Sequence, residues 1–403
     1  MTLASFLDPV LLVATLMIAV PAVTLLTEVL AALWQRGAAP ECGRDTAKIT
    51  RGRIAVVVPA HNEAAGVGRT IAGLLPQIAA GDRLVVVADN CTDRTAELAR
   101  AAGASVIERR DEERRGKGFA LDFGVDWLRA DPPDCVVFID ADCTMAPGSL
   151  ERLHDACAGS GRPAQALNLC HVPQGITRMG PRIAEFAFLV KNHVRPRGLA
   201  RLGLPCALTG TGMAFPWSLI AAAPLASDHL AEDMMLGSTL AAQGHAPLFV
   251  EAARVDSEFP SSEDGERGQR RRWEHGHLQT LLTRVPSLAL SAISQRAPVL
   301  LAHALDLAVP PLALLLALQL LLVAATSTSL LLGGGALALA ISLASLAATG
   351  IAVLLAWYHF GRSILSASML WMAPIYVLRK LPLYIGFLGS RQSAWMRARR
   401  DGE

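Results

Sequence analysis

The sequence predicts an α/β domain with a parallel β-sheet, joined to α-helices that span a membrane. Three observations support this prediction. In the middle of the chain short apolar runs alternate with amphipathic segments, long apolar runs lie on both sides of that middle, and 52% of the 403 residues are hydrophobic. Such a composition is richer in apolar residues than that of an ordinary soluble domain. The middle, roughly residues 50–296, is long enough to bury a core of its own.

Long apolar runs cover residues 9–34, 297–323 and 330–357. About 20 apolar residues cross the hydrocarbon core of a bilayer, so each run predicts a transmembrane helix. The first run lacks the basic start and the small-residue cleavage site of a secretory signal peptide, and we therefore interpret it as an anchor.

A fourth apolar stretch, residues 364–388, contains Arg379 and Lys380 between two prolines. Two cations near the bilayer centre are costly, so a helix in the membrane interface competes with a fourth span. Basic residues also follow the first apolar run and end the chain, at Arg36, Arg44, Lys48, Arg51, Arg53 and in the tail 396–400. This distribution favours a cytoplasmic middle and a cytoplasmic tail.

Charge and cysteine usage exclude two classes of protein. The net charge is +2, which does not indicate a nucleic-acid partner. The seven cysteines include no C-x-x-C pair and are odd in number, so we interpret them as reduced thiols in the cytosol rather than as zinc ligands or disulfides.

The strands and helices of the middle follow from local patterns. Short apolar runs predict buried strands, and the segments between them have helical periodicity, so the sheet is expected to be parallel with helices on both faces. Strands are predicted at 54–58 (ended by Pro59), 84–87, 104–111 and 135–143, and helices after Glu63, over 92–102 and from about 117 to 128.

Polar side chains follow these strands, at the edge where parallel sheets bind ligands. They are His61, Asn62, Glu63, Asp89, Asn90, Asp140 and Asp142. The glycine pattern of a dinucleotide-binding Rossmann domain and the phosphate-binding loop G-x-x-x-x-G-K-[ST] are both missing from this region.

The segment F-I-D-A-D-C places Asp140 and Asp142 two residues apart after an apolar strand. On an extended segment this spacing puts both side chains on one side, where they repel each other unless a cation lies beside them. Carboxylate oxygens suit Mg²⁺ or Mn²⁺, which bridge protein carboxylates and substrate phosphates. The alternative is an aspartate pair in a surface turn.

Four motifs follow one another along the chain: A-D-N-C-T-D at 88–93, D-x-D at 140–142, A-E-D at 231–233 and Q-R-R-R-W at 269–273. Together they resemble the membrane-bound family 2 glycosyltransferases, which have a GT-A fold and include cellulose, hyaluronan and chitin synthases. The layout is most similar to that of the nodulation-type chitooligosaccharide synthases, and the resemblance covers most of residues 50–300.

The resemblance implies a division of the chain into five parts. They are an N-terminal anchor (1–36), a cytoplasmic GT-A domain (50–260), an interfacial helical segment with Q-x-x-R-W (261–296), two transmembrane helices (297–357), and an interfacial or re-entrant helix with a basic cytoplasmic tail (362–403). The segment 176–202 is expected to form an amphipathic helix at the membrane surface.

The resemblance also implies roles for individual residues. Nucleotide-sugar contacts are expected from Pro59, Ala60, Glu63, Asp89, Lys117 and Asp140, metal binding from Asp140 and Asp142, catalysis from Asp233 as general base with Glu232, and acceptor or product contacts from Thr211, Gly212, Gln269, Arg272 and Trp273. The family usually has a second aspartate where this chain has Ala88, and this departure weakens the inference of uridine recognition. A helix N-terminus, which favours carboxylates, is the alternative for Glu232 and Asp233.

The implied reaction is an inverting transfer from a UDP-sugar, with Mg²⁺ or Mn²⁺, that forms a β-linkage. The acceptor would be a membrane-associated polysaccharide or a lipid-linked oligosaccharide. The lipid bilayer and an export partner or a second copy of the chain are the implied partners, and the bacterial inner membrane is the implied location.

Two other functions remain open from the sequence. A polyprenyl-phosphate sugar synthase would generally lack Q-x-x-R-W. A transport component would concentrate polar and ionisable groups within its spans, whereas Glu28, His303 and Asp306 are the only ionisable side chains in the apolar runs considered.

Overall fold

The structure is a computed structural model that describes residues 3–34 and 51–389. Arg36, Arg44, Lys48 and the basic tail 396–400 lie outside the described residues. The chain divides into two compact units. Within the described residues, the α/β unit comprises 51–176 and 203–276, and the helical unit comprises 3–34, 177–202 and 277–389.

The secondary structure alternates as the sequence predicts for the α/β unit. The helices are α1 Leu3–Leu33, α2 Val67–Leu74, α3 Thr95–Ala101, α4 Lys117–Leu128, α5 Ser149–Ser160, α6 Met179–Leu189, α7 Arg195–Arg201, α8 Trp217–Ile220, α9 Glu232–Ala242, α10 Glu263–Thr283, α11 Val285–Ser294, α12 Pro298–Leu307, α13 Leu312–Leu331, α14 Ala336–Ala356, α15 Ala367–Trp371 and α16 Ala373–Gly389. The strands are β1 Ile54–Ala60, β2 Arg83–Asp89, β3 Ser105–Arg109, β4 Cys135–Phe138, β5 Thr144–Met145, β6 Ala164–His171, β7 Met213–Pro216 and β8 Leu248–Glu258.

One eight-stranded sheet organises the α/β unit, in the order β3-β2-β1-β4-β7-β6-β8-β5. The first four strands are parallel, as predicted. The second half differs from the all-parallel prediction, because β7 is antiparallel to both β4 and β6 and β5 is antiparallel to β8. Strands β5 to β8 were not predicted, because β5 and β7 are short and because β6 and β8 mix apolar with polar residues and leave only a weak local pattern.

The side chains of the central strands alternate between two apolar clusters, one on each face of the sheet. In β1, Val56 and Val58 belong to one cluster, while Ala55 and Val57 belong to the other. The first cluster is completed by α2, α3 and α5, and the second by α4 and α9. A continuous apolar run is therefore what a strand covered on both faces requires.

Strand β1 extends through Pro59 to Ala60, beyond its predicted end at Val58. Its pairing with β4 stops at Val57 and Phe138, while its pairing with β2 continues. Pro59 thus lies where the strand has a neighbour on one side only, which is a position that tolerates proline.

The helical unit contains the apolar runs. Among the described residues three helices are long and apolar enough to span a membrane, Leu7–Leu33, Leu312–Leu331 and Ala336–Gly361, and α16 is not one of them. The prediction of one helix over 297–323 is wrong, because α12 ends at Leu307 and α13 begins at Leu312. Pro310 and Pro311 stand in the break, and proline removes a backbone donor from a helix interior.

Polar side chains link α1, α13 and α14. The amide of Gln319 donates hydrogen bonds to the hydroxyl oxygens of Ser345 (3.0 Å) and Thr349 (2.9 Å), and all three residues are buried. The hydroxyls of Thr15 and Ser342 are 3.2 Å apart. Hydrogen bonds of this kind between apolar helices each contribute on the order of 0.6–2 kcal/mol.

Candidate active site

The carboxyl ends of β1, β2 and β4 meet at one edge of the sheet. The parallel register aligns Ala60 with Ala88 and Val57 with Phe138. The loops after these strands therefore lie next to one another, and they carry most of the predicted site residues.

The D-x-D segment forms a tight turn directly after β4. The N–H of Cys143 donates to the carbonyl of Asp140 (3.1 Å), and the N–H of Asp140 donates to the Thr211 hydroxyl (3.1 Å). Ligand atoms of Asp140, Asp142 and Cys143 all lie within 4.8 Å of one another. The two carboxylates offer oxygen atoms that fit Mg²⁺ or Mn²⁺. Cys143, which the sequence analysis did not single out, adds a buried sulfur beside them.

Lys117 links this turn to the A-E-D motif. Its ammonium group forms an ion pair with Asp140 and donates to the carbonyl of Gly210 (2.7 Å). The carboxylate of Glu232 is 3.9 Å away. Burial alone lowers the pKa of Lys117, but the carboxylates of Asp140 and Glu232 outweigh it and raise the pKa. Lys117 therefore carries its charge at every physiological pH.

Glu232 and Asp233 occupy the first turn of α9. The structure thus contains the helix N-terminus that was the alternative interpretation, and at the same time brings Glu232 within reach of Lys117. Burial raises the pKa of Glu232 to about 7 although Lys117 opposes the shift. Asp233 accepts a hydrogen bond from the N–H of Met234 (2.8 Å). The Glu232 carboxyl group is accordingly able to hold a proton near neutral pH.

The loop of residues 209–212, with the sequence T-G-T-G, bonds to both the D-x-D turn and Lys117. Gly210 and Gly212 have φ angles of 88° and 66°, which favour glycine. Thr211 is buried with its hydroxyl on Asp140, and a Cβ on Gly212 would lie 2.8 Å from the Cβ of Ala166. The structure therefore places Thr211 and Gly212 against the protein interior, although the sequence analysis expected acceptor contacts from them.

The loops after β1 and β2 are tied together. The side-chain oxygen of Asn62 accepts from the N–H of Thr92 (2.7 Å), and the N–H of Glu63 donates to the Thr95 hydroxyl (2.7 Å). A ring nitrogen of His61 is 2.7 Å from the Asp89 carbonyl. Pro59 and Ala60 end β1 beside these loops.

Asp89 is buried against an arginine that the sequence analysis missed. Arg109, at the end of β3, donates to the Asp89 carboxylate (2.7 Å) and also to the Arg114 carbonyl (2.8 Å). Burial raises the pKa of Asp89, and Arg109 opposes that shift. The pair depends on the alignment of β2 with β3, which places Asp89 beside Arg109. Only a pairing prediction for these two strands could have found it.

The Q-x-x-R-W motif lies on α10. Burial raises the pKa of Asp140, and the positive charges of Lys117 and, to a smaller degree, of Arg272 oppose that shift. The ring of Trp273 packs edge-on against Phe259, with centroids 6.2 Å apart. Gln269 is partly exposed on the same helix. The structure thus brings Arg272 toward the D-x-D turn and fixes Trp273 beside the end of β8.

A family model described as "Glycosyltransferase like family 2" matches residues 51–276, more than half of the chain. The chain is a family 2 glycosyltransferase. The match spans β1 to the first two thirds of α10, so it includes every residue of the candidate active site.

Relatives of this transferase support the same assignment. An uncharacterized glycosyltransferase of Mycobacterium tuberculosis (strain H37Rv) is 34% identical over 156 residues, which are 37% of this chain and 67% of the relative. The low-salt glycan biosynthesis hexosyltransferase Agl6 of Haloferax volcanii is 38% identical over 104 residues, 25% of this chain and 23% of the relative.

A solved structure shares the fold over nearly the whole chain. The mannosyltransferase PcManGT from Pyrobaculum calidifontis, in complex with GDP-Man and Mn²⁺, has a TM-score of 0.54 and 17% identity and covers 95% of this chain and 100% of its own. The similarity confirms the predicted GT-A-like α/β domain for this transferase.

Proposed function

We propose that this glycosyltransferase inverts the anomeric centre of a nucleotide-activated sugar, with UDP as the nucleotide and Mg²⁺ or Mn²⁺ as cofactor. The acceptor is a membrane-associated polysaccharide or lipid-linked oligosaccharide, and the product linkage is β. The observation that carries the proposal is the close approach of the D-x-D turn, Lys117 and the A-E-D motif. In this arrangement Lys117 contacts Asp140 and lies 3.9 Å from Glu232.

Asp140 and Asp142 are the residues that would hold the cation. When bound, it would neutralise the charge that develops on the departing diphosphate. Lys117 would add its fixed positive charge to the same oxygens, which a side chain with three rotatable donors can follow.

The A-E-D motif would carry the proton transfer. Asp233 accepts the proton of the acceptor hydroxyl as that oxygen attacks the anomeric carbon, and the nucleoside diphosphate leaves from the opposite side. Glu232 lies beside it, 3.9 Å from the Lys117 nitrogen, and would be the carboxyl group of the motif that holds a proton near neutral pH. A single displacement of this kind converts an α-linked donor into a β-linked product.

The nucleotide would lie at the ends of β1 and β2. Pro59, Ala60 and Glu63 would line one side and Asp89 would accept from the base or the ribose. The GDP-Man bound to PcManGT makes a guanosine donor the direct competitor of the proposed uridine donor.

The acceptor side would be formed by the Q-x-x-R-W segment. Trp273 offers a flat apolar face to a sugar ring, and Arg272 offers a planar donor group to phosphate or hydroxyl oxygens. Gln269 completes the acceptor side. Thr211 and Gly212, which the resemblance also assigns to it, would act by fixing the shape of their loop, because their backbone groups bond to Phe138, Gln165 and Ala166.

The apolar helices favour an integral membrane protein with the α/β unit in the cytosol, as in a bacterial inner membrane. Lipid is then a direct partner, and an export protein or a second copy of the chain is a further one. A soluble acceptor would give the three candidate spans no role in the reaction.

A panel of donors tests the proposal. Purified protein in detergent or nanodiscs is incubated with labelled UDP- and GDP-sugars, Mn²⁺ and a membrane lipid extract, and products are separated into polysaccharide, lipid-linked oligosaccharide and polyprenyl-phosphate sugar. Metal-dependent transfer from a UDP-sugar to one of the first two is expected. Transfer only from GDP-sugars would overturn the nucleotide assignment, and a polyprenyl-phosphate product would overturn the acceptor.

A further inference from the structure

We propose that Lys117 and the divalent cation compete for Asp140, and that the lysine acts as an exchangeable counter-ion that keeps the metal site selective for the metal–donor complex. The inference rests on the proposed function, because it assigns the cation to Asp140 and Asp142. This competition gives Lys117 a second role in addition to a contact with the donor diphosphate.

The position of the ammonium group is the first argument. Lys117 forms its ion pair with Asp140 itself, the first carboxylate of the turn, and its side chain is 18% exposed. A cation bound to Asp140 would therefore stand within a few ångström of a second positive charge. At such distances repulsion between like charges is large even at an effective dielectric constant of about 20.

The alternative partners of the lysine are the second argument. The carboxylate of Glu232 is 3.9 Å from the same nitrogen, and the Gly210 carbonyl accepts from it at 2.7 Å. A Cβ on Gly210 would lie 3.4 Å from Asp233 and 3.6 Å from the lysine nitrogen, so the glycine leaves the space between them open. Lys117 can thus leave Asp140 and move toward Glu232 or a diphosphate without losing all of its partners.

The backbone around the lysine is the third argument. Gly116 has a φ of 137°, and a Cβ on Gly118 would lie 2.6 Å from the carbonyl oxygens of Leu225 and Ser227. Because neither glycine has a Cβ, the start of α4 can pack directly against the loop that leads to the A-E-D motif. The backbone of Lys117 is fixed while its four-carbon side chain can rotate, which is what an exchange between partners needs.

The exchange predicts different metal affinities with and without a bound nucleotide. Metal alone must displace the ammonium group from Asp140, whereas a metal–diphosphate complex brings phosphate oxygens that accept the displaced lysine. The protein should therefore bind Mn²⁺ weakly by itself and strongly together with a nucleoside diphosphate.

Substitution of the lysine separates the two effects. The wild type, Lys117→Met and Lys117→Gln are first titrated with Mn²⁺ alone, and electron paramagnetic resonance measures the concentration of free ion. Calorimetry then measures the binding of UDP and of GDP to the same proteins in excess Mn²⁺. Both variants should bind Mn²⁺ alone at least about fivefold more tightly than the wild type, since an opposing charge is gone, and should bind the nucleoside diphosphate more weakly. Arg115→Met, an exposed cation two residues away, removes the same charge and should change neither.

The outcomes distinguish this proposal from the proposed function. If the wild type binds Mn²⁺ and both folded lysine variants bind it equally or more weakly, the competition is wrong while the metal-dependent transferase stands. If Mn²⁺ binds neither the wild type nor any variant, with or without nucleotide, the assignment of the metal site itself fails. Thermal melting checks that the variants are folded, and the glutamine side chain keeps a donor for the Gly210 carbonyl should the methionine variant be unstable.

Discussion

At the residue scale, the proton transfer assigned to Asp233 makes the sharpest claim. A general base acts mainly in the transition state, so its loss lowers turnover and leaves donor binding nearly intact. Asp233→Asn should bind the nucleotide sugar with wild-type affinity in calorimetry and transfer it at least roughly 100-fold more slowly. A variant that transfers sugar at the wild-type rate would place the base elsewhere.

Glu232 predicts a pH dependence of stability that can be measured on the same protein. Its pKa is raised from 4.5 to about 7, so the folded state binds a proton that the unfolded state has lost between these values. The stabilising contribution is complete below about pH 4.5 and disappears as the pH rises through 7. The difference between 4.5 and about 7 corresponds to a contribution of about 3 kcal/mol.

Thermal melts of the wild type and of Glu232→Gln between pH 5 and 8 test this sign. The wild type should lose stability relative to the variant as the pH rises, because the glutamine cannot ionise. A difference between the two proteins that stays constant over this range would show that Glu232 titrates at its ordinary value.

At the element scale, a buried ion cluster connects three helices of the helical unit. Arg195 of α7 pairs with Glu28 of α1 (2.6 Å) and with Asp306 of α12 (2.5 Å), and all three residues are at most 6% exposed. A π-helical turn at Val190–Val194 precedes Arg195 and shifts the helix register, which turns this side chain toward its partners. A Cβ on Gly198 would overlap the Glu28 carbonyl, so α7 and α1 are in backbone contact there.

The cluster predicts an asymmetric response to substitution. Arg195→Met leaves two buried carboxylates without their cation, and removing one partner of a buried pair costs about 3–5 kcal/mol. Glu28→Gln keeps a polar partner for the arginine and should cost less. Thermal unfolding in detergent compares these with Arg201→Met, a partly exposed arginine of the same helix. Equal melting temperatures for Arg195→Met and Arg201→Met would contradict the predicted role of the cluster.

Elements and residues that have a contiguous local pattern could be predicted from the sequence. Strands β1, β2 and β4 and helix α4 were predictable because apolar runs and polar strand ends are contiguous in the chain. Arg109 and the support of Asp140 by Thr211 were not, since each depends on contacts between distant segments. The break between α12 and α13 could have been expected from Pro310 and Pro311, but the uniform hydropathy around them concealed it.

At the scale of the whole molecule, the membrane arrangement makes a topological prediction. Three helices are long and apolar enough to span, and α16 carries Arg379 and Lys380 in its middle. If α16 lies in the interface, three crossings leave the two ends of the chain on opposite sides. A reporter fused to the C-terminus should then behave as cytoplasmic, and one fused to the N-terminus as external.

A reporter signal from the external side at the C-terminus would contradict this arrangement. It would show that α16 crosses the bilayer and that the basic tail 396–400 lies outside, against the preference of positive charge for the cytoplasm. Fusions placed after Leu331 and after Gly361 serve as internal controls, since they report on each candidate span separately.

The central claim is that Asp140 and Asp142 bind a divalent cation that binds the donor diphosphate, and calorimetry with UDP and GDP measures it most directly. The wild type should bind one of these nucleotides with Mn²⁺ and lose that binding in EDTA. Loss of an outer partner of a metal site already costs 10- to 100-fold, so Asp142→Asn should weaken metal-dependent binding at least about tenfold. Asp126→Asn, an exposed carboxylate on α4, should bind as the wild type does. Equal, metal-independent binding by the wild type and Asp142→Asn would contradict the account.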